Sequence, residues 1–294
     1  QAITLGLLAA ATGWLMWHWQ GSPLVAMCGF LAILFGYAAF LAIEFIALRA
    51  VGSRDGVHPA PSARELARAW LRETVAAPRV FCWRQPFRWH AVPDLLQGPG
   101  LQGRRGVVFI HGFVCNRGFW TPWLRRMQAD GRAFAAVNLE PVFGSIDDYV
   151  PIIDRAVAQV SQATGLAPVL VCHSMGGVAA RAWLRGRSPG LRAAHIITIG
   201  TPHHGTWLAR FSHLANGRQM RMGGDWLARL PAGNEGPDGP GFTCWVASCD
   251  NIVFPVATAT LPGADNRWVR GAAHVDLAFE PEVMKASLAL VAAL

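Results

Sequence analysis

Lysine is almost missing from this chain: Lys285 is the only one. The net charge of +8 is carried by arginines that are scattered, with no dense basic run and no aromatic interleaving. That pattern argues against nucleic-acid binding. C-x-x-C spacing is also missing. Cys28, Cys82, Cys115, Cys172, Cys244 and Cys249 therefore read as reduced, mostly buried thiols rather than a disulfide frame. A Cys244–Cys249 bridge is the local alternative, but residues five apart on an extended strand lie too far from each other. There is no internal repeat and no low-complexity tract. At 294 residues the chain has room for one α/β domain and an appendage.

What is abundant is apolar sequence at the start. Residues 2–19 are almost wholly apolar and end in Trp14, Trp17 and Trp19. A turn, Gln20-Gly21-Ser22-Pro23, separates them from a second apolar run, Leu24 to Val51, broken by Glu44 and Arg49. A helix needs about 20 apolar residues to cross a bilayer. The first run is marginal and the second ample, so residues 1–51 read as a hairpin of two transmembrane helices. A cleaved signal peptide is the second choice, because a basic leader region and a small-residue cleavage site are missing. A buried helical hairpin is the third. Glu44 receives no function. The chain begins at Gln1, and a missing stretch ahead of it is one expectation. Arg49, Arg54, Arg64, Arg68 and Arg72 follow the second run, while the turn before it has no basic residue. By the positive-inside rule both ends of the hairpin face the cytoplasm, giving a multi-pass inner-membrane protein with its catalytic domain inside. Unpaired thiols fit that compartment.

Residues 52–103 read as a linker and N-terminal segment. Gly52 to Pro61 is the linker proper. Ser62 and Glu65 have capping-box spacing and open a helix that Pro78 should stop. Phe81 to Trp89 is expected to be extended. From Gly106 strands and helices alternate, which implies an α/β fold with a mostly parallel sheet and helices on both faces over residues 104–294. Expected strands are 107–110, 134–139, 169–173, 195–200, 242–248 and 266–269. Trp207 to Phe242 is too long for a plain connection and is rich in Trp, Phe, Met and Leu. It is expected to form a cap over the site, with its apolar face binding an acyl chain.

Val169-Leu170-Val171-Cys172-His173-Ser174-Met175-Gly176-Gly177 reads as strand, sharp turn and helix with a serine at the apex. Small neighbours let strand and helix backbones approach. The alternative is a serine that merely caps a helix. His111-Gly112-Phe113 follows a buried strand, where a backbone N–H can join that of Met175 in an oxyanion hole. Asp250 follows the strand at 242–248, and a carboxylate there can orient a histidine; a turn-capping aspartate is the plainer reading. Asp265 and Asp276 are its rivals. His274 follows the last strand among small residues. The order Ser174, Asp250, His274 then has each residue after a strand. His173 should point its side chain away from the nucleophile. His203 and His204 make a poor metal site and read as pocket wall.

Together these segments, with Gly200-Thr201-Pro202-His203-His204-Gly205-Thr206, resemble the α/β-hydrolase superfamily, and in particular bacterial triacylglycerol lipases and esterases. Cys172 stands where that family has glycine, and its secreted members carry no hairpin. The resemblance implies a serine ester hydrolase acting on lipid or other acyl esters. Ser174 would be the nucleophile, His274 the base and acid, Asp250 its orienter, and the Phe113 and Met175 amides the oxyanion hole. It implies no cofactor and no metal. An acyltransferase on the same triad and a non-catalytic membrane scaffold are the alternatives.

Overall fold

The computed structural model describes residues 1–52, 60–230 and 239–294. The core of the expected linker, 53–59, and most of the Gly/Pro-rich stretch, 231–238, lie outside the described residues. Two helices open the chain, α1 (Ala2–Trp19) and α2 (Pro23–Gly52). They fold back on each other, and Gly29 is the close point: a Cβ there would fall within 1.8 Å of the Trp14 ring. Among the described residues, only α2 is long and apolar enough to cross a membrane. This corrects the expectation of two such helices. At 18 residues and 1.5 Å each, α1 reaches about 27 Å, and its last turn is weighed down by Trp and His18.

Helix α3 (Ala63–Pro78) begins with the capping box read from the sequence: Ser62 accepts the Glu65 N–H, and Glu65 accepts the Ser62 N–H. Pro78 does not end the helical path. A π-type stretch, Arg79–Arg84, and the short α4 (Gln85–Phe87) continue it, so the expected extended segment is helical. The N–H that Pro78 lacks is made good at the Thr74 carbonyl, which accepts from Tyr37 Oη at 2.7 Å, and the π-type spacing follows it. That spacing also turns Val80 into the core and places the Gln85 side chain to accept the Asn116 N–H at 2.8 Å.

The sheet contains β1 (Val107–Ile110), β2 (Phe134–Ala136), β3 (Val169–His173), β4 (His195–Ile199), β5 (Gly241–Ala247) and β6 (Asp265–Val269). Their order is β2-β1-β3-β4-β5-β6 and every pairing is parallel. Parallel strands need crossovers, and the crossover helices cover both faces. The strands are apolar throughout, yet they still alternate. Val108, Ile110, Leu170, Cys172 and Ile196 face α6 (Val150–Thr164) and α7 (Met175–Gly186). Phe109, Val171, Ile197 and Ile199 face α5 (Thr121–Ala129) and α11 (Pro281–Ala293). Between β4 and β5 lie a 3-10 turn, α8 (Ala215–Gln219) and α9 (Asp225–Ala228). A single turn of helix, α10 (His274–Leu277), follows β6.

The last third of α2 belongs to this body. Phe45 and Leu48 pack with Leu66 and Ala69 of α3 and with Cys249, Phe254 and Ala273 from loops at the sheet's carboxyl edge. Midway along α2, Tyr37 Oη also donates to the Thr74 carbonyl and the Ala38 carbonyl accepts from Trp70 Nε1, while Leu24, Leu31 and Phe35 of α2 and most large apolar side chains of α1 stay exposed.

Candidate active site

Ser174 sits at the turn from β3 into α7, with φ 54° and ψ −129°. A non-glycine residue rarely adopts positive φ, and such strain persists only where the surroundings enforce it. Here they do. The Ser174 N–H donates to the Ile199 carbonyl at 2.9 Å. Its own carbonyl accepts from the Gly177 N–H at 3.0 Å and from Thr201 Oγ1 at 2.9 Å. Gly176 is needed because a Cβ would fall 2.4 Å from the Ile110 carbonyl oxygen, and Gly177 because one would fall 2.2 Å from Thr201 Oγ1. Cys172 is two residues before Ser174 and points into the α6/α7 face, where a small buried thiol fits.

The carboxyl ends of β1, β5 and β6 bring the other expected residues to the same edge. His274 Nδ1 lies 2.9 and 3.0 Å from the two oxygens of Asp250. Asp250 Oδ1 also accepts the N–H groups of Ile252 and Val253, so the turn-capping aspartate and the histidine partner are one residue. Gly200, at φ 57°, leaves the space for this pair: a Cβ would be 3.2 Å from Asp250 Oδ2 and 3.3 Å from His274 Nδ1. Burial pulls the His274 imidazole down, but the Asp250 carboxylate outweighs it, helped by Glu73 and Glu44, and the pKa ends up raised. Nε2 has no hydrogen-bond partner among the described residues and belongs to a ring that lines the same cavity as Ser174. Asp265 is elsewhere, paired with Arg267 on β6, and Asp276 is paired with Arg72.

His111 holds the loop after β1. Its Nε2 accepts the Leu139 N–H at 3.0 Å, which leaves Nδ1 to donate to the Gly112 carbonyl at 2.9 Å. Burial lowers its pKa to about 4, so the ring is neutral. Gly112 packs against Ser174, where a Cβ would fall 2.8 Å from the serine Cβ. Phe113 follows, and Met175 is the first residue of α7. Val114, at φ 49°, is the second strained residue of the site.

Several neighbours differ from expectation. His173 does not turn away from the site. Strand alternation sends it to the α5 face, where it stacks on Phe119 at 4.3 Å. Its Nε2 donates to the His274 carbonyl at 3.2 Å, and burial holds its pKa well below the usual imidazole value. The loop from Gly200 to Thr206 is not pocket wall: Thr201 supports the serine turn from below, and His203 is buried with Nε2 3.0 Å from Thr198 Oγ1. The described part of the 207–242 insertion does not line the cavity above Ser174. Ala209, Met220, Leu227 and Leu230 enter the core on the α6/α7 face instead, and Trp226 donates to Asp147.

Two long-range carboxylates went unread in the sequence. Glu73 of α3 accepts the N–H groups of Val275 and Asp276 at 2.9 and 3.0 Å, capping α10. Burial raises its pKa to about 7, against the pull of those two bonds. Glu44 of α2 accepts from Asn251 Nδ2 at 2.7 Å, and Asn251 Oδ1 accepts the His274 N–H at 3.2 Å. No local pattern marks either residue, because each partner is more than 200 positions away.

A cavity of about 730 Å³ opens above Ser174 and His274. That is within the range of small-molecule sites. Its far wall comes from α1 and α2. Among the described residues, no group of three His, Cys, Asp or Glu side chains is placed to hold a metal ion.

The sequence matches no protein-family model and no curated protein. Solved structures do resemble it. Mature lipase BlEst2 of Bacillus licheniformis aligns with a TM-score of 0.54 at 16% identity, over 65% of this chain and 93% of that one. Its propeptide form aligns at 0.56 and 17%, over 68% of this chain and 52% of that one. Aspergillus fumigatus lipase B aligns at 0.55 and 16%, over 69% and 56%. At such identities the likeness concerns architecture, and the parallel α/β sheet described above is that of the α/β-hydrolase fold.

Proposed function

We propose that this chain is a serine ester hydrolase acting on acyl esters of lipids at a membrane. The observation that carries this reading is the strained Ser174 turn opening into the same apolar cavity as the Asp250-paired His274. Ser174 Oγ attacks the ester carbonyl carbon while His274 Nε2 takes its proton. Asp250 fixes the ring with Nδ1–H toward itself and stabilises the imidazolium. The Phe113 and Met175 N–H groups receive the developing oxyanion. The imidazolium then protonates the leaving alcohol, and water, deprotonated by His274, releases the acid. The named activity of the lipase neighbours agrees with this chemistry.

The membrane part of the reading rests on α2. α2 has 30 residues and at 1.5 Å each reaches about 45 Å, its contacts with α3 beginning at Tyr37 and Ala38. A bilayer's hydrocarbon core is about 30 Å thick. In this reading α2 spans the inner membrane with α1 beside it. Exposed Phe81, Trp83 and Trp89 lie at the body end, where Gln1 of α1 reaches the Pro86 carbonyl, a place suited to interfacial aromatics. The catalytic residues face the cytoplasm.

A fluorophosphonate probe tests the chemistry. Mass spectrometry should find the adduct on Ser174, and Ser174→Ala should abolish both the adduct and p-nitrophenyl ester hydrolysis. Undiminished hydrolysis by Ser174→Ala would remove the reading.

A further inference from the structure

The helices α1 and α2, which the reading above places in lipid, also form a wall of the catalytic cavity. Leu7 and Leu8 of α1, and Leu34, Phe40 and Leu41 of α2, line the cavity that reaches Ser174. Opposite them stand Val114 and Ile252 of the body. Ser174 is 7% exposed, whereas Leu8 is 48% and Phe40 63% exposed. The same side chains thus line the cavity that holds the serine and stay exposed along the helix pair. This makes an apolar path from the flank of the pair to the nucleophile. In water such a path would be a costly exposed patch; in lipid it is continuous with the solvent. Leu34 to Leu41 also bracket the point where α2 meets α3, at Tyr37 and Ala38, so this wall of the cavity lies at the body end of the proposed span.

From this we infer that α1 and α2 form the acyl-chain site, and that a long-chain ester resident in the bilayer reaches Ser174 sideways between these helices and the body. The inference rests on the esterase reading above and names its substrate class. It assigns the acyl chain to residues outside the hydrolase fold, and takes that role away from the described part of the 207–242 insertion.

The test uses the full chain in phosphatidylcholine vesicles and a long-chain alkyl fluorophosphonate with a diazirine at the chain end. Ser174 Oγ forms a bond to phosphorus, the P–F bond breaks, fluoride leaves, and His274 takes the serine proton. Light then crosslinks the tail to whatever surrounds it. The expected crosslinks fall in residues 2–19 and 33–44, with the phosphonyl group on Ser174. Crosslinks in residues 207–230 from a labelled Ser174 overturn the inference and leave the esterase reading standing. No adduct on Ser174, even with a short-chain probe, overturns both. Leu34→Trp and Leu41→Trp give a second measure. Each methylene kept from burial is worth about fourfold in rate, so excluding two costs about sixteenfold. The ratio of long-chain to short-chain probe reactivity should therefore fall at least about tenfold. An unchanged ratio in both variants overturns the inference, and if neither variant folds the wild-type crosslink map decides it.

Discussion

Asp250 performs two tasks with one carboxylate. It closes the turn after β5 through Ile252 and Val253, and it meets His274 Nδ1. Asparagine at this position still supplies an oxygen for the turn but can stabilise the wrong imidazole tautomer. Asp250→Asn should lower kcat by on the order of 10⁴ with a modest change in stability. Asp265→Asn, whose carboxylate pairs with Arg267 on β6 away from His274, should leave kcat close to wild type, and the reverse result would reassign the acid. The same pair sets a pH dependence. The base must be neutral to work, and its pKa is raised above the ordinary 6.5. Activity should therefore fall, as pH drops, through a limb above 6.5, and Asp250→Asn should move that limb downward in kcat/KM profiles. Gly176→Ala tests the turn itself. A Cβ 2.4 Å from the Ile110 carbonyl oxygen has backbone on its far side, so strand and helix would have to separate. The expected cost is about 1–3 kcal/mol or more in denaturant unfolding, with loss of fluorophosphonate labelling.

At the scale of elements, α3 emerges as the brace of the histidine loop. Glu73 gives one oxygen to each of two N–H groups at the start of α10. Glutamine would turn an N–H₂ toward one of them and leave that donor unpaired, at about 1–3 kcal/mol. Glu73→Gln should lower Tm and kcat together. The gap in stability should also depend on pH. A carboxyl whose folded pKa is about 7, above its unfolded value of 4.5, contributes stability that is present below 4.5 and is lost as pH rises through 7. The Tm difference between wild type and Glu73→Gln should therefore shrink from pH 5 to pH 8; a constant difference would mean that Glu73 does not titrate there. This brace also marks where sequence reading ends. The strands, the serine turn and the order Ser174, Asp250, His274 are legible because each leaves a local signature: an apolar run, glycines at a close approach, a small-residue loop. Glu44 and Glu73 leave none, since their partners are fixed only when α2 and α3 dock. The insertion misleads for a related reason. Apolar side chains suited to a lipid cap are equally suited to a core, and Met220, Leu227 and Leu230 are spent there.

For the whole molecule, the question is which solvent surrounds α1 and α2. Most of the large apolar side chains exposed on the described chain belong to these two helices, among them Ile3, Trp17, Leu24, Phe35, Phe40 and Ile46. In water that surface would drive association, so the isolated chain should aggregate without detergent and disperse with it. In a bilayer the arginines decide the direction. Arg49 closes α2, and Arg64, Arg68 and Arg72 lie along α3, directly after it, while the turn at residues 20–22 carries no charge. Positive residues near a span end stay in the cytoplasm. The body hangs from that same end of α2 through Phe45 and Leu48, so it must follow the arginines. The proposed topology therefore predicts that a cytoplasm-only reporter fused after Leu294 is active and a periplasm-only reporter is silent. The full chain should also remain with membranes through high salt and alkaline carbonate, which remove proteins held by charge alone. Activity of the periplasmic reporter would invert the topology while leaving the chemistry at Ser174 untouched. Release by salt would instead mean that α2 lies outside the hydrocarbon, and the sideways path to the serine would then open onto water.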